Sequence, residues 1–303
     1  MELTSLHILL TYQCTFECDH CFVWGSPFQS GTLTLAQIRL ILEQAKEAKV
    51  EWIYFEGGEP FLYYAVVHKG VQLAKQMGFR LGIVSNAYWA NTVEDAIEWL
   101  RPLSDLIEDL AVSSDLYHYS EMMSRQAQNA QEASRELGIP LGVISVCQPE
   151  TVNAALTSGQ IPAGEGAAVM YRGRAAVKLA PRASRQPWKK FTECPHENLR
   201  EPGRCHLDPL GNIHICQGVS IGNVFETSLK EICGKYNANA HPVCGPLLVG
   251  GPAALVRKYN LPHEEAYADA CHLCYEARLA MREQFPDILK PDQMYGCGAS
   301  FHT

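Results

Sequence analysis

Apolar residues fall in short bursts along the first half of the chain, and most bursts are followed by a stretch in which they recur at helical spacing. Residues 6–12 form an apolar run that predicts a buried strand handing the chain to a loop. Thr34 with Gln37 three residues later makes a capping box, and Leu35, Ile38, Ile41, Leu42, Ala45 and Ala48 then recur on one helical face. The alternation continues with strands expected over 52–55, 79–85, 110–113, 140–146 and 167–171. Helices are expected over 66–77, closed by Gly78, over 92–100, and over 120–137, stopped by Gly138.

Strands alternating with helices imply α/β architecture, a parallel sheet with helices on its outer face. Near Pro181 the pattern gives way to Arg, Pro and Ser and then to a polar stretch, which places a boundary between 180 and 195. Residues 1–185 are expected to form the larger unit and 186–303 a smaller, cysteine-rich one.

At 303 residues and 47% hydrophobic content the chain can bury a large core. A net charge of -8 argues against a nucleic-acid groove, because phosphate binding rests on clustered Lys and Arg. The only local basic excess lies between Arg172 and Lys190. No apolar stretch reaches the roughly 20 residues of a bilayer span, the longest candidate, 245–256, being broken by Gly and Pro. No secretory signal pattern follows Met1, so the twelve cysteines are read as thiols of a reducing cytoplasm.

Three of those thiols stand out. Cys14, Cys18 and Cys21 are spaced so that one small loop can present all three to one metal centre. In a four-iron cluster this would leave one iron without a protein ligand. After the second predicted strand comes Glu56-Gly57-Gly58-Glu59-Pro60, where two glycines let another group approach the backbone closely. The third strand ends in Ser85-Asn86 and the fourth in Ser113-Ser114-Asp115, residues that either cap helices or contact a ligand at strand C-termini.

The run Cys14-x3-Cys18-x2-Cys21 followed by Gly57-Gly58-Glu59-Pro60 resembles the radical S-adenosylmethionine (radical SAM) enzymes. The resemblance implies a partial (βα)6 TIM-like barrel with a 4Fe-4S cluster on Cys14, Cys18 and Cys21. SAM would chelate the open iron, and its reductive cleavage would give a 5′-deoxyadenosyl radical that takes a substrate hydrogen. The family usually has an aromatic residue where this chain has His20, whose ring would lie beside the adenine. Gly57, Gly58, Glu59 and Pro60 would hold the SAM amino group. Ser85, Asn86, Ser113 and Asp115 would lie near the nucleoside, and Arg174 would meet a carboxylate of SAM or substrate. An external reductant such as flavodoxin or ferredoxin is implied as a partner.

The C-terminal segment resembles the SPASM or Twitch auxiliary-cluster domains of such enzymes, on Cys205 to Cys216 with a Gly211-Asn212 turn and Gly222-Asn223 beyond it. That likeness implies a second 4Fe-4S cluster on Cys205, Cys216, Cys271 and Cys274, with Cys194 as the other candidate for first ligand and Cys297 in reserve. A zinc site, on four cysteines or on cysteines together with His206, His214 or His272, competes with it. Cys147, Cys233 and Cys244 are expected to be core thiols.

The function implied is a radical SAM oxidoreductase modifying a peptide or protein side chain, with dehydrogenation of a small molecule such as an alcohol or aminocyclitol as the alternative. From another class come a non-catalytic iron-sulfur electron carrier and a zinc-stabilised binding protein.

Overall fold

The computed structural model describes residues 1–121, 123–151 and 166–297. Strand β1 (Ser5–Leu9) leads into the cysteine loop, and α1 (Leu35–Glu47) follows, its Thr34–Gln37 capping box formed as the sequence predicts. Then come β2 (Trp52–Glu56), α2 (Tyr64–Gln76), β3 (Arg80–Ser85), α3 (Val93–Leu100), β4 (Asp109–Ser113), α4 (Arg125–Glu136) and β5 (Leu141–Ile144). The five strands pair in parallel in chain order. All their C-terminal ends therefore lie at one rim, beside the cysteine loop.

The sixth expected strand is reduced to one parallel bridge, Val146 to Ala167. Its backbone is engaged elsewhere: the Tyr171 amide donates to the Asp269 carboxylate at 3.3 Å, drawing the chain away from β5. The helix expected from 120 begins at Arg125 because Ser124 caps it, accepting from the Ala127 amide at 3.1 Å.

Short α5 (Arg174–Lys178) and the two-residue strand β6 (Gln186–Pro187) lead to β7 (Arg204–Leu207). β7 pairs in parallel with β1, at the edge opposite β5, and β8 (Asn212–Cys216) and β9 (Val219–Asn223) extend that edge as antiparallel strands. The cysteine-rich segment is thus continuous with the barrel sheet. Leu6, Ile8, Cys205 and Leu207 share one fully buried face. The Gly211-Asn212 turn is present, with Gly211 at φ 88°.

Helices α6 (Leu229–Lys235) and α7 (Cys244–Tyr259), strand β10 (Ala266–Tyr267), paired with β6, and α8 (Ala270–Ala280) complete the chain. The apolar stretch 245–256 is α7, bent at Gly250-Gly251. Among the described residues no helix is long and apolar enough to cross a membrane.

Candidate active site

Strand alternation decides what faces the barrel lumen. His7 and Leu9 of β1, Glu56 of β2, and Arg204 and His206 of β7 line an open cavity of about 470 Å³, which Cys14, Cys18, Cys21, Gly57, Gly58, Ser85, Asn86, Ser113, His20 and His118 also line. The structure therefore brings most of the predicted residues of the first site to one place. Among the described residues no fourth cysteine lines this cavity.

The cysteine loop is held by its own backbone and by Arg174. The Cys14 amide donates to Ser26 O at 3.0 Å and the Cys21 amide to Cys18 O at 3.0 Å. Three N–H groups point at two of the sulfurs: Phe16 N lies 3.4 Å and Asn86 Nδ2 3.5 Å from Cys14 Sγ, and Gly25 N lies 3.2 Å from Cys21 Sγ. Burial pushes the Cys14 thiol up to about 12 and raises Cys18 further, neighbouring thiols adding to both. Such thiols ionise readily only when a cation takes the proton's place. Three sulfurs on one cavity, amides directed at two of them and no fourth cysteine among the described residues fit a four-iron cluster with one open iron.

The glycine pair has a packing role that the sequence did not reveal. A Cβ on Gly58 would sit 2.1 Å from Gln13 O, and one on Gly57, at φ 148°, 2.5 Å from Thr11 O. The β2 turn is hydrogen-bonded to the residues entering the cysteine loop, Gly58 N to Thr11 O at 2.7 Å and Glu59 N to Gln13 O at 2.8 Å. Glycine is required here for the two loops to meet.

Glu59 and Pro60 do not line the cavity. The Glu59 carboxylate is fully buried and accepts from Ser85 Oγ (2.9 Å), the Asn86 amide (2.7 Å) and the Phe61 amide (3.0 Å). It ties the end of β2 to the end of β3. Burial pushes its carboxyl up to about 7, against the pull of those three donors.

Asp115 is likewise buried, behind His20 and His118. Its carboxylate lies 3.4 Å from His20 Nε2 and 2.8 Å from His118 Nδ1, and accepts from the Val146 amide at 3.1 Å. Burial opposes its ionisation, but these partners win and hold it well below the usual range. Its direct role is to orient two imidazoles that do line the cavity. Arg174 faces the loop, donating to Cys18 O at 2.7 Å and Gly25 O at 2.8 Å, so both its terminal nitrogens are committed to backbone.

A second, smaller cavity lies against β8 and α8. Cys194, Cys216, Cys271 and Cys274 line it together with Cys244, whereas Cys205 does not. The reason is register: His206 pairs with His214 across the hairpin, so Cys216 falls opposite Arg204, on the other face from Cys205. Cys205 points into the core with Leu207 and is fully buried. Cys194, not Cys205, joins the other three. Cys297 is exposed and lines neither cavity. The histidines named for a zinc site are engaged elsewhere: His206 beside Glu56, His214 against Asp208 at 2.9 Å, and His272 accepting from the Ala268 amide. His196 is the imidazole that approaches Cys271.

One position on both cavities escaped the sequence. Arg172 lines both cavities, donating to Glu197 Oε1 at 3.0 Å and lying 3.4 Å from Cys216 Sγ. Nothing in a run of basic residues at 172–190 separates it from Arg174.

Comparison with known proteins follows this geometry. Residues 8–149 match the radical SAM superfamily model. YydG of Bacillus subtilis (strain 168), described as a peptide biosynthesis protein, is 29% identical over 134 residues, 44% of this chain and 42% of YydG. The S-adenosylmethionine-dependent nucleotide dehydratase RSAD2 of Siniperca chuatsi is 30% identical over 125 residues, 39% of this chain and 32% of that protein. The match spans less than half the length of either relative. Among solved structures, anSMEcpe with bound AdoMet covers 93% of this chain and 97% of its own at TM-score 0.54 and 12% identity, a likeness of fold. The α/β sheet with its open barrel is accordingly the fold expected from the sequence.

Proposed function

We propose that this chain, whose residues 8–149 form a radical SAM superfamily domain, is an enzyme that generates a radical in the barrel cavity and abstracts a hydrogen atom from a peptide or protein side chain. The domain implies a 4Fe-4S cluster and SAM, which together supply reductive cleavage to a 5′-deoxyadenosyl radical. The observation that carries the reading is the meeting of Cys14, Cys18 and Cys21 with the Gly57-Gly58 turn on one cavity lined by no fourth cysteine among the described residues.

The chain's own residues do the holding. Cys14, Cys18 and Cys21 would bind the cluster, and amides of Phe16, Gly25 and Asn86 would stabilise thiolate charge. Ser113, His20 and His118 face the space a nucleoside would fill, with Asp115 orienting the two rings.

Cys194, Cys216, Cys271 and Cys274 are proposed to hold a second 4Fe-4S cluster. Four convergent thiols favour it, and Arg172 stands between it and the first cavity, where an electron would pass during an oxidation. Zinc on the same four residues is the competing occupant.

The peptide reading is supported by the description of YydG. RSAD2 acts on nucleotides by its name, so the segment shared with both bears on the cofactor rather than the substrate. Anaerobic incubation with SAM, reductant and candidate peptides, followed by mass spectrometry, tests the substrate class. A peptide lighter by two hydrogens, or one carrying solvent deuterium at a carbon, supports it. Turnover of alcohols with no change in any peptide would favour the small-molecule dehydrogenase.

A further inference from the structure

His7, Glu56 and His206 come from three different strands, and their ligand atoms lie within 4.8 Å of one another on the lumen wall. His7 Nδ1 is 3.4 Å and His206 Nε2 is 3.1 Å from the same oxygen, Glu56 Oε1. Despite this proximity, His7 Nδ1 and Glu56 Oε1 are buried without a hydrogen-bond partner. Buried polar atoms that converge without a well-directed hydrogen bond call for an explanation.

A divalent ion supplies one. Zinc-like bond lengths of about 2.0–2.2 Å in a tetrahedral shell set neighbouring donors roughly 3.3–3.6 Å apart, and wider shells bring them closer. The 3.4 Å separation falls in that range, and the 3.1 Å one lies between it and the closer spacing of a higher-coordinate shell. The donor set, two imidazoles and one carboxylate, suits zinc or ferrous iron and leaves positions open. The ring of His7 is fixed by stacking on Tyr54, with centroids 4.5 Å apart and planes within 12°. Tyr54 is itself anchored to Asp109 at 3.1 Å and lies across Gly82, where a Cβ would clash at 2.2 Å. A ligand shell needs such outer support.

Arg204, a cation on the same wall, is drawn toward Glu197 at 3.5 Å.

We infer that His7, Glu56 and His206 form a mononuclear divalent-metal site in the wall of the barrel cavity, whose open positions take an oxygen or carboxylate donor of the substrate. The substrate role rests on the function proposed above; metal binding does not. It would fix the substrate against the cluster side of the cavity by coordination rather than by shape.

The test uses the full-length protein with its iron-sulfur clusters reconstituted anaerobically, dialysed against Co²⁺ and then against chelator-free buffer. One Co²⁺ per chain is expected, with cobalt-edge X-ray absorption showing nitrogen and oxygen neighbours and no sulfur shell near about 2.3 Å. Glu56→Gln and His206→Gln should each weaken Co²⁺ binding by roughly 100-fold with iron content unchanged. No bound cobalt, a sulfur shell, or equal binding by folded variants would overturn the site. Should a variant lose its clusters, the absorption spectrum of the unmodified protein decides alone. Because cobalt binding is read without SAM, failure here leaves the radical SAM reading standing, and failure of SAM cleavage leaves this site standing.

Discussion

The Arg172 guanidinium sets Nη1 3.4 Å from Cys216 Sγ while occupying the wall common to both cysteine-lined cavities. Its charge is balanced by Glu197, 3.0 Å away. A cation donating to a cluster thiolate raises the reduction potential, because it favours the electron-rich state. Removing one charge-assisted bond of about 1.5 kcal/mol corresponds to roughly 60 mV for a one-electron couple. If the proposed second cluster is present, Arg172→Gln should therefore move its midpoint more negative by that order in an EPR-monitored titration, and an unchanged midpoint would show that the contact does not tune it.

The proposed ligand set, with Cys194 rather than Cys205, has a direct consequence. Serine at Cys194, Cys216, Cys271 or Cys274 should lower iron from roughly eight per chain toward four. Cys205→Ser should keep the iron and lose stability instead, by about 1–3 kcal/mol, since it buries a hydroxyl in the core. Iron analysis beside a denaturant curve checks both halves.

Gly58→Ala places a methyl 2.1 Å from a backbone oxygen that cannot yield without moving the cysteine loop. Loss of both cluster assembly and several degrees of melting temperature is expected. A variant with normal iron and melting, impaired only in SAM affinity, would instead assign the glycine to ligand approach.

Glu59 makes a pH prediction. Its carboxyl is raised in the fold to about 7 from an ordinary 4.5, chiefly by burial. The folded state then binds more protons than the unfolded one between these values, so this group's contribution is complete below pH 4.5 and is lost as pH rises through about 7. The loss amounts to about 3 kcal/mol at one unit per 1.36 kcal/mol. Chemical denaturation of wild type and Glu59→Gln across pH 4.5–7.5 should show a falling slope only in the former. Parallel curves would mean that the Ser85, Asn86 and Phe61 donors keep Glu59 ionised throughout.

The elements of the barrel were legible because each is local: Thr34–Gln37 caps α1, and alternation marks Trp52–Glu56 and Asp109–Ser113. What escaped was set by distant partners. The stretch after Ala167 has strand-like residues, but Asp269, almost a hundred positions away, accepts its amide. β7 returns beside β1, which no periodicity announces. The face of Cys205 was within reach, since the Gly211 turn fixes the hairpin register and sends Cys205 and Cys216 to opposite sides. The inward turn of Glu59 and the commitment of Arg174 to loop carbonyls were not, because the same motif residues bind or brace according to rotamer alone.

The central claim is the open cluster site on Cys14, Cys18 and Cys21, and its most direct test is 5′-deoxyadenosine formation. Anaerobically reconstituted, dithionite-reduced protein should convert SAM to 5′-deoxyadenosine and methionine, alone or with a peptide substrate, and Cys18→Ala should abolish this. A fully iron-loaded protein that cleaves no SAM with any substrate offered, or a Cys18→Ala variant that cleaves it as well as wild type, would contradict the account.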